Sequence, residues 1–275
     1  MTVDRPSASA GLCRGLLLIV AWCMPSIVVA ETKSFAARPD LATEVIRSGI
    51  TFLNEQTQTL QEDAFANPGY LWVDQGEHLF NEPDNPNSCR SCHNPRGDLP
   101  LAGAAATYPK YDAQARRLLN LEGRINQCRK LHQQRPMLAY ESEELLSLTA
   151  YIATLSRDKP INVSITGPAA SYFATGRDYF FQRKGQFNLA CNQCHDEQWG
   201  KRLRGDTISQ GHGNGFPAYR LEWQTLGSLH RRLRDCDQGI RAEPFAAGSD
   251  MYLSLELYLA WRARKLVIEA PGVRR

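Results

Sequence analysis

CNQCH, residues 191–195, sets two thiols three positions apart and a histidine directly after the second. The same arrangement stands at 89–93 as CRSCH. C-x-x-C-H is the attachment signature of a c-type haem. Two thiols on an incipient helical turn add across the two vinyl groups of one haem, and the adjacent histidine comes to lie under the iron as proximal ligand. A lone motif of this kind also suits thiol exchange or zinc. Zinc asks for further Cys or His at short spacing, which neither stretch has. The expectation is two covalently bound c-type haems, with Cys89, Cys92, Cys191 and Cys194 as thioether anchors and His93 and His195 as axial ligands.

Outward from the two motifs the sequence repeats itself. GEHLF (76–80) precedes the first motif as GRDYF (176–180) precedes the second. LEGRINQCRKLHQQRP (121–136) lies over LHRRLRDCDQGIRAEP (229–244), pairing Leu121 with Leu229, Arg124 with Arg232, Cys128 with Cys236 and Pro136 with Pro244. LSLTAYIATLSR (146–157) matches LSLELYLAWRAR (253–264). The fold class expected is mostly α: two tandem cytochrome c-like domains, 31–160 and 161–275, related by internal repeat. DKPINVSITGP (158–168), with two prolines, a glycine and no helical period, reads as the linker. Apolar residues at three- and four-residue spacing predict helices over 44–58, 141–157 and 249–265. Ser142 and Ser249-Asp250 suit their N-caps, and Pro-, Gly- and Asn-rich loops surround the haem motifs.

The N-terminus reads as a secretory signal peptide over 1–30: Arg5 and Arg14 flank an apolar run, 15–30, that ends in Val28-Val29-Ala30. An uncleaved anchor is the alternative. Cleavage removes Cys13 and Cys23 and leaves Cys89, Cys92, Cys128, Cys191, Cys194 and Cys236 in an exported, periplasmic protein. No later stretch is apolar for long enough to cross a bilayer. With 22% charged residues and a formal net charge of +3, the chain is neither disordered nor suited overall to nucleic acid.

Each iron needs a sixth ligand or an open position. Methionine is the usual one in c-type cytochromes, and Met137 and Met251 each follow a motif. In the repeat, however, 137 corresponds to Phe245 and 251 to Glu144, so these methionines are not equivalent. Cys128 and Cys236 are. They are expected on the irons of haem 1 and haem 2; a disulfide between them is the alternative. Around Cys236 stand Arg231, Arg232, Arg234 and Arg241 with His230, and Lys201, Arg202, Arg204, His212 and Arg220 fill the segment before it. Such a run is commonly a solvated basic face. Beside a polarised thiolate it would also hold a small oxyanion.

These features together, above all KRLRGDTISQGHGNGFPAYRLEWQTLGSLHRRLRDCDQG (201–239), resemble the SoxA family, the larger cytochrome subunits of the SoxAX complexes of bacterial thiosulfate oxidation. The resemblance implies an L-cysteine S-thiosulfotransferase that joins thiosulfate to a cysteine of a SoxYZ-like carrier and passes two electrons to a small c-type cytochrome. It implies a heterodimer with a SoxX-like monohaem subunit and His/Cys ligation of both irons. Cys236 would be the catalytic persulfide-bearing ligand of haem 2, and Arg232 would bind substrate. The alternatives are a dihaem thiosulfate dehydrogenase forming tetrathionate, a dihaem peroxidase, and a non-catalytic dihaem electron carrier.

Overall fold

Two helix pairs cross at backbone contact, and a glycine makes each crossing possible. The computed structural model of the chain describes residues 46–82, 87–93 and 100–275, all within one compact unit, Leu41–Arg275. The expected signal peptide lies outside the described residues. In chain order the helices are α1 (Glu55–Glu62), α2 (Tyr70–Asn81), α3 (Cys89–Cys92), α4 (Leu121–Leu131), α5 (Glu143–Thr154), α6 (Ala169–Phe181), α7 (Cys191–His195), α8 (Leu229–Gly239) and α9 (Asp250–Arg262). Short strands fill the gaps: β1 (Lys110–Asp112), β2 (Arg117–Leu119), β3 (Arg202–Leu203), β4 (Asp206–Thr207), β5 (Ala218–Arg220), β6 (Thr225–Gly227) and β7 (Gly272–Arg274).

Helix α2 packs on α5, and α6 packs on α9. At the first crossing a Cβ on Gly76 would overlap the carbonyl of Ser147; at the second, a Cβ on Gly176 would overlap the carbonyl of Ser254. Only a bare backbone admits this approach. Around the crossings Phe80, Leu145, Leu148 and Ile152 form one core, and Phe180, Tyr252, Leu255 and Leu259 another. Each pair is joined by the same intermediate: a short antiparallel hairpin, β1–β2 or β5–β6, preceded by a cis proline at Pro109 or Pro217. Each hairpin leads into an N-capped helix. Asn120 accepts from the Gly123 N–H at 2.9 Å at the start of α4, and Ser228 accepts from the Arg231 N–H at 3.1 Å at the start of α8.

One expectation needs correction. The helix predicted over 44–58 is broken: a 3-10 turn, Gly49–Phe52, ends at extended Leu53, and Asn54 caps a new helix, α1, by accepting from Thr57 N–H. Asparagine at a cap competes with helix continuation, and the apolar spacing alone hid that break. The segment 158–168, read as the linker, carries no helix and runs docked against the core. Ile161, 7% exposed, sits in a core with Ala153, Ala263 and Ile268, and the backbone of 158–162 bonds to Ile268, Leu266 and Ala106. The C-terminal strand β7 runs parallel to β5, and the Val273 N–H donates to Gln61 of α1 at 3.0 Å. Among the described residues, no helix is long and apolar enough to cross a membrane.

A cavity of about 80 Å³ lies where the two helix sets meet, lined by matching residues such as Leu121 and Leu229, Pro109 and Pro217. Glu122 and Glu256 face it. Asn120 Nδ2 and His230 Nε2 lie 3.2 and 2.9 Å from Glu256 Oε2. Burial, then the charge on Glu256, push Glu122 up to about 7. Between its ordinary value of 4.5 and about 7, the folded protein holds a proton that the unfolded chain has released. Stability contributed here therefore falls as pH rises through that window. Glu122→Gln should change urea stability little at about pH 5 and raise it by roughly 1–3 kcal/mol at about pH 8; an equal effect at both would contradict this.

Candidate active site

Helix α7 is a single turn that gathers Cys191, Cys194 and His195, its entry fixed by the Ala190 N–H donating to Gln193 Oε1 at 2.9 Å. His195 Nδ1 lies 2.7 Å from the Ser209 carbonyl oxygen, which can only accept. Nδ1 therefore donates to that carbonyl, the kind of contact that orients a metal-ligating histidine through its Nε2. Gly211, at φ 75°, lays bare backbone against the ring: a Cβ there would come within 2.9 Å of it. Arg262 clamps the next residue, with Nη2 2.6 Å from Asp196 Oδ1. The Cys236 thiol lies within hydrogen-bonding reach of the His195 ring.

Helix α8 brings Cys236 there, and Asp237 sets its rotation. Asp237 Oδ2 accepts from the hydroxyls of Tyr179 at 2.7 Å and Tyr252 at 2.8 Å, while Lys184 Nζ stands 3.5 Å from Oδ1. With that carboxylate bound into the core, the preceding residue turns toward α7 and Arg232, one turn earlier, shares its face. Lys184 Nζ also reaches Cys191 Sγ at 3.7 Å.

Charge separates the two repeat-related cysteines. Burial alone would raise the Cys236 thiol, but Arg232 and then His195 outweigh it, and the thiol is held below its ordinary range. Burial raises Cys128; Arg124 pulls it back, but Cys92 and Asp112 oppose that pull, and the thiol stays high. In an apolar environment a thiolate persists only where cations repay its desolvation. Only Cys236 has that balance.

The arrangement suits a c-type haem. Cys191, Cys194 and His195 occupy one turn, and a sulfur faces the histidine. Among the described residues no three His, Cys, Asp or Glu side chains converge on a bare metal ion. A porphyrin supplies four nitrogens of its own and asks of the chain only two axial groups, which His195 and Cys236 match. In the other half Cys89 and Cys92 interact electrostatically with Cys128, and Gln133 Nε2 stands 3.5 Å from Cys89 Sγ. His93 caps the end of α3. All six of these cysteines are free, so the alternative disulfide between Cys128 and Cys236 is not formed. Met137 is 62% exposed, and Met251 packs on the α6–α9 core.

The basic run sorts into separate jobs. Arg231 lies over the Trp223 ring at 4.3 Å, Arg234 donates to the Phe245 carbonyl at 2.5 Å, and Arg241 covers Phe187. Arg202 and Arg204 belong to the exposed β3–β4 hairpin. The two histidines expected in the basic field do not join it as cations facing the sulfur. His212 is buried and pushed down to about 3, by burial first and then by Arg262 and His195. His230 is buried against Glu256, with its Nδ1 accepting from Gly248 N–H at 2.9 Å. Sequence reasoning missed the Ser209 carbonyl, the Asp237 anchor and Lys184; nothing in their spacing marks them.

The cytochrome c domain of SoxA and TsdA proteins matches residues 75–161. The chain is 38% identical over 231 residues to the L-cysteine S-thiosulfotransferase subunit SoxA of Rhodovulum sulfidophilum, spanning 83% of this chain and 80% of that one. With the same subunit of Paracoccus pantotrophus it shares 35% identity over 252 residues, 91% of this chain and 86% of that one. The crystal structure of SoxXA from P. pantotrophus contains a chain that superposes with a TM-score of 0.78 at 35% identity, covering 84% of this chain and 87% of that chain.

Removing the anchor of α8 should cost more than removing the sulfur it positions. Asp237→Ala strands Lys184 and two buried hydroxyls and should lower the unfolding free energy by roughly 3 kcal/mol. Chemical denaturation of the holoprotein checks this; a loss no larger than that of a surface substitution would contradict the anchoring role.

Proposed function

Because the chain belongs to the SoxA family of c-type cytochrome subunits, we propose that it is the catalytic haem subunit of an L-cysteine S-thiosulfotransferase, with Cys236 as the sulfur that receives thiosulfate. The observation that carries this reading is the contrast between its cysteines: the thiol of Cys236 is drawn down by Arg232 and His195, whereas that of Cys128 is held up.

Two c-type haems belong to this reading. One would be held by Cys89 and Cys92 with His93 and Cys128 as axial ligands, the other by Cys191 and Cys194 with His195 and Cys236. When bound, the second haem supplies an electron acceptor in contact with the reacting sulfur. The chain's own residues do the rest. Arg232 favours the thiolate of Cys236 and offsets the charge of an arriving sulfonate. The Cys236 thiolate and the terminal sulfur of thiosulfate form an S–S bond, and two electrons leave the sulfur pair. The thiolate of a carrier cysteine then attacks the outer sulfur of that bond; the thiosulfonate passes to the carrier, and Cys236 leaves again as thiolate. The two electrons leave one at a time, each to one equivalent of a small c-type cytochrome.

The partners follow from the same chemistry: a SoxX-like monohaem subunit, in keeping with the SoxXA complex of the solved relative, and a SoxYZ-like carrier with an accessible cysteine. A signal peptide over 1–30 would place the exchange in the periplasm.

Mass analysis of the carrier after incubation with thiosulfate and the complex tests this directly. Cys236→Ala should abolish carrier conjugation, while Cys128→Ala should perturb the haem spectrum and keep most of the activity. Equal losses from the two variants would overturn the assignment of roles. Tetrathionate formed from thiosulfate without a carrier would favour a thiosulfate dehydrogenase instead.

A further inference from the structure

The two halves put opposite charges at one equivalent position. On β1 that position is Asp112, and it neutralises the arginine of α4: Arg124 Nη1 lies 3.4 Å from Asp112 Oδ2, and Gln127 Nε2 donates to Oδ1 at 3.1 Å. On β5 the position is Arg220, in the same hairpin register, Arg220 opposite Thr225 as Asp112 is opposite Arg117. The arginine equivalent to Arg124 is Arg232, so here a guanidinium stands where its partner carboxylate would be.

Arg220 is buried, 3% exposed, and only partly satisfied. Nη2 pairs with Glu222 Oε2 at 2.7 Å, but that carboxylate is 67% exposed. Its guanidinium lies 4.8 Å from the Trp223 ring centroid, and Nε, buried as well, has no hydrogen-bond partner. Asp235, within electrostatic reach of Arg220, accepts from Trp223 Nε1 at 2.9 Å. Arg274, its neighbour on β7, bonds to Gln61 and faces Glu269. Arg220 also lies within electrostatic reach of both Arg232 and Cys236, and it is held below its ordinary range by burial first and Arg232 next. An unpaired buried donor beside a second cation is costly unless an anion completes it.

We propose that Arg220 and Arg232 together form the receptor for the sulfonate end of the substrate, with Arg220 Nε taking one sulfonate oxygen while the outer sulfur meets Cys236. With Arg220 where the other half has Asp112, the arginine pair Arg220–Arg232 stands in place of the Asp112–Arg124 ion pair, and only this half gains an anion site. This rests on the functional reading above. It adds a second substrate-binding guanidinium and a class of ligand: tetrahedral sulfur oxyanions, including the redox-inert sulfate.

Calorimetric titration of the holoprotein with thiosulfate and with sulfate, without carrier or electron acceptor, reads the site directly. Arg220→Gln should weaken both anions about tenfold, the loss of one charge-assisted hydrogen bond. Arg220→Asp, which gives Arg232 the partner that Arg124 has, should weaken them further, and Arg220→Lys should lose less than either. The exposed Glu222→Gln, which frees Arg220, should tighten sulfate binding and decides the matter if the Arg220 variants fail to fold. Anion affinities of a folded Arg220→Gln within twofold of the wild type, or no change in Glu222→Gln in the absence of that variant, overturn the proposal. If conjugation proceeds normally in such an Arg220→Gln, only the role of Arg220 falls. A wild type that binds neither anion and conjugates nothing sinks the functional reading with it.

Discussion

One pairing governs the second half of the molecule: the His195 ring facing the Cys236 sulfur. Neither side chain holds that position alone. The Ser209 carbonyl fixes the ring's tautomer, the backbone of Gly211 packs on its face, and Asp237 locks the rotation of α8 from behind. The α6–α9 crossing, closed by Gly176 on the Ser254 carbonyl, keeps these elements at a fixed separation.

The glycine crossing and the hairpin that leads into a capped helix occur in both halves; the charge pattern does not. Asp112 answers Arg124 and leaves Cys128 beside a balanced pair, whereas Arg220 stands beside Arg232 and leaves net positive charge at Cys236. Two similar helix pairs thus hold sulfurs with opposed electrostatics: Arg232 and His195 draw Cys236 down, while burial, Cys92 and Asp112 keep Cys128 high. The proposed division into one catalytic and one auxiliary haem needs no difference in fold. It needs only that one half lose a carboxylate and acquire a guanidinium.

Much of this was legible in the chain. The two turns proposed to hold haem are local, so CRSCH and CNQCH mark them without help from tertiary contacts. Helices α5 and α9 follow from strong periodicity, and Ser142 and Ser249 cap them as expected, accepting from Leu145 and Tyr252 N–H. The hairpins β1–β2 and β5–β6 escaped because strands of three residues carry too little alternation to register. The break at Asn54 escaped because apolar spacing ran through it, and the docking of Ile161 because Ala263 and Ile268 lie about a hundred residues further along the chain. The basic run around Cys236 was legible as a run but not as roles. Which arginine stacks on an aromatic ring, which caps a carbonyl and which faces sulfur depends on helix rotation, and rotation is set by Asp237.

The central claim is that the sulfur at 236 is bound to iron opposite His195. Iron K-edge absorption of the holoprotein tests it without reference to turnover. With a cysteine on each of two irons, iron–sulfur scattering should fall by about half in Cys236→Ala while the spectrum of the remaining haem is kept. Scattering unchanged from the wild type would mean that Cys236 does not touch iron, and would contradict the account.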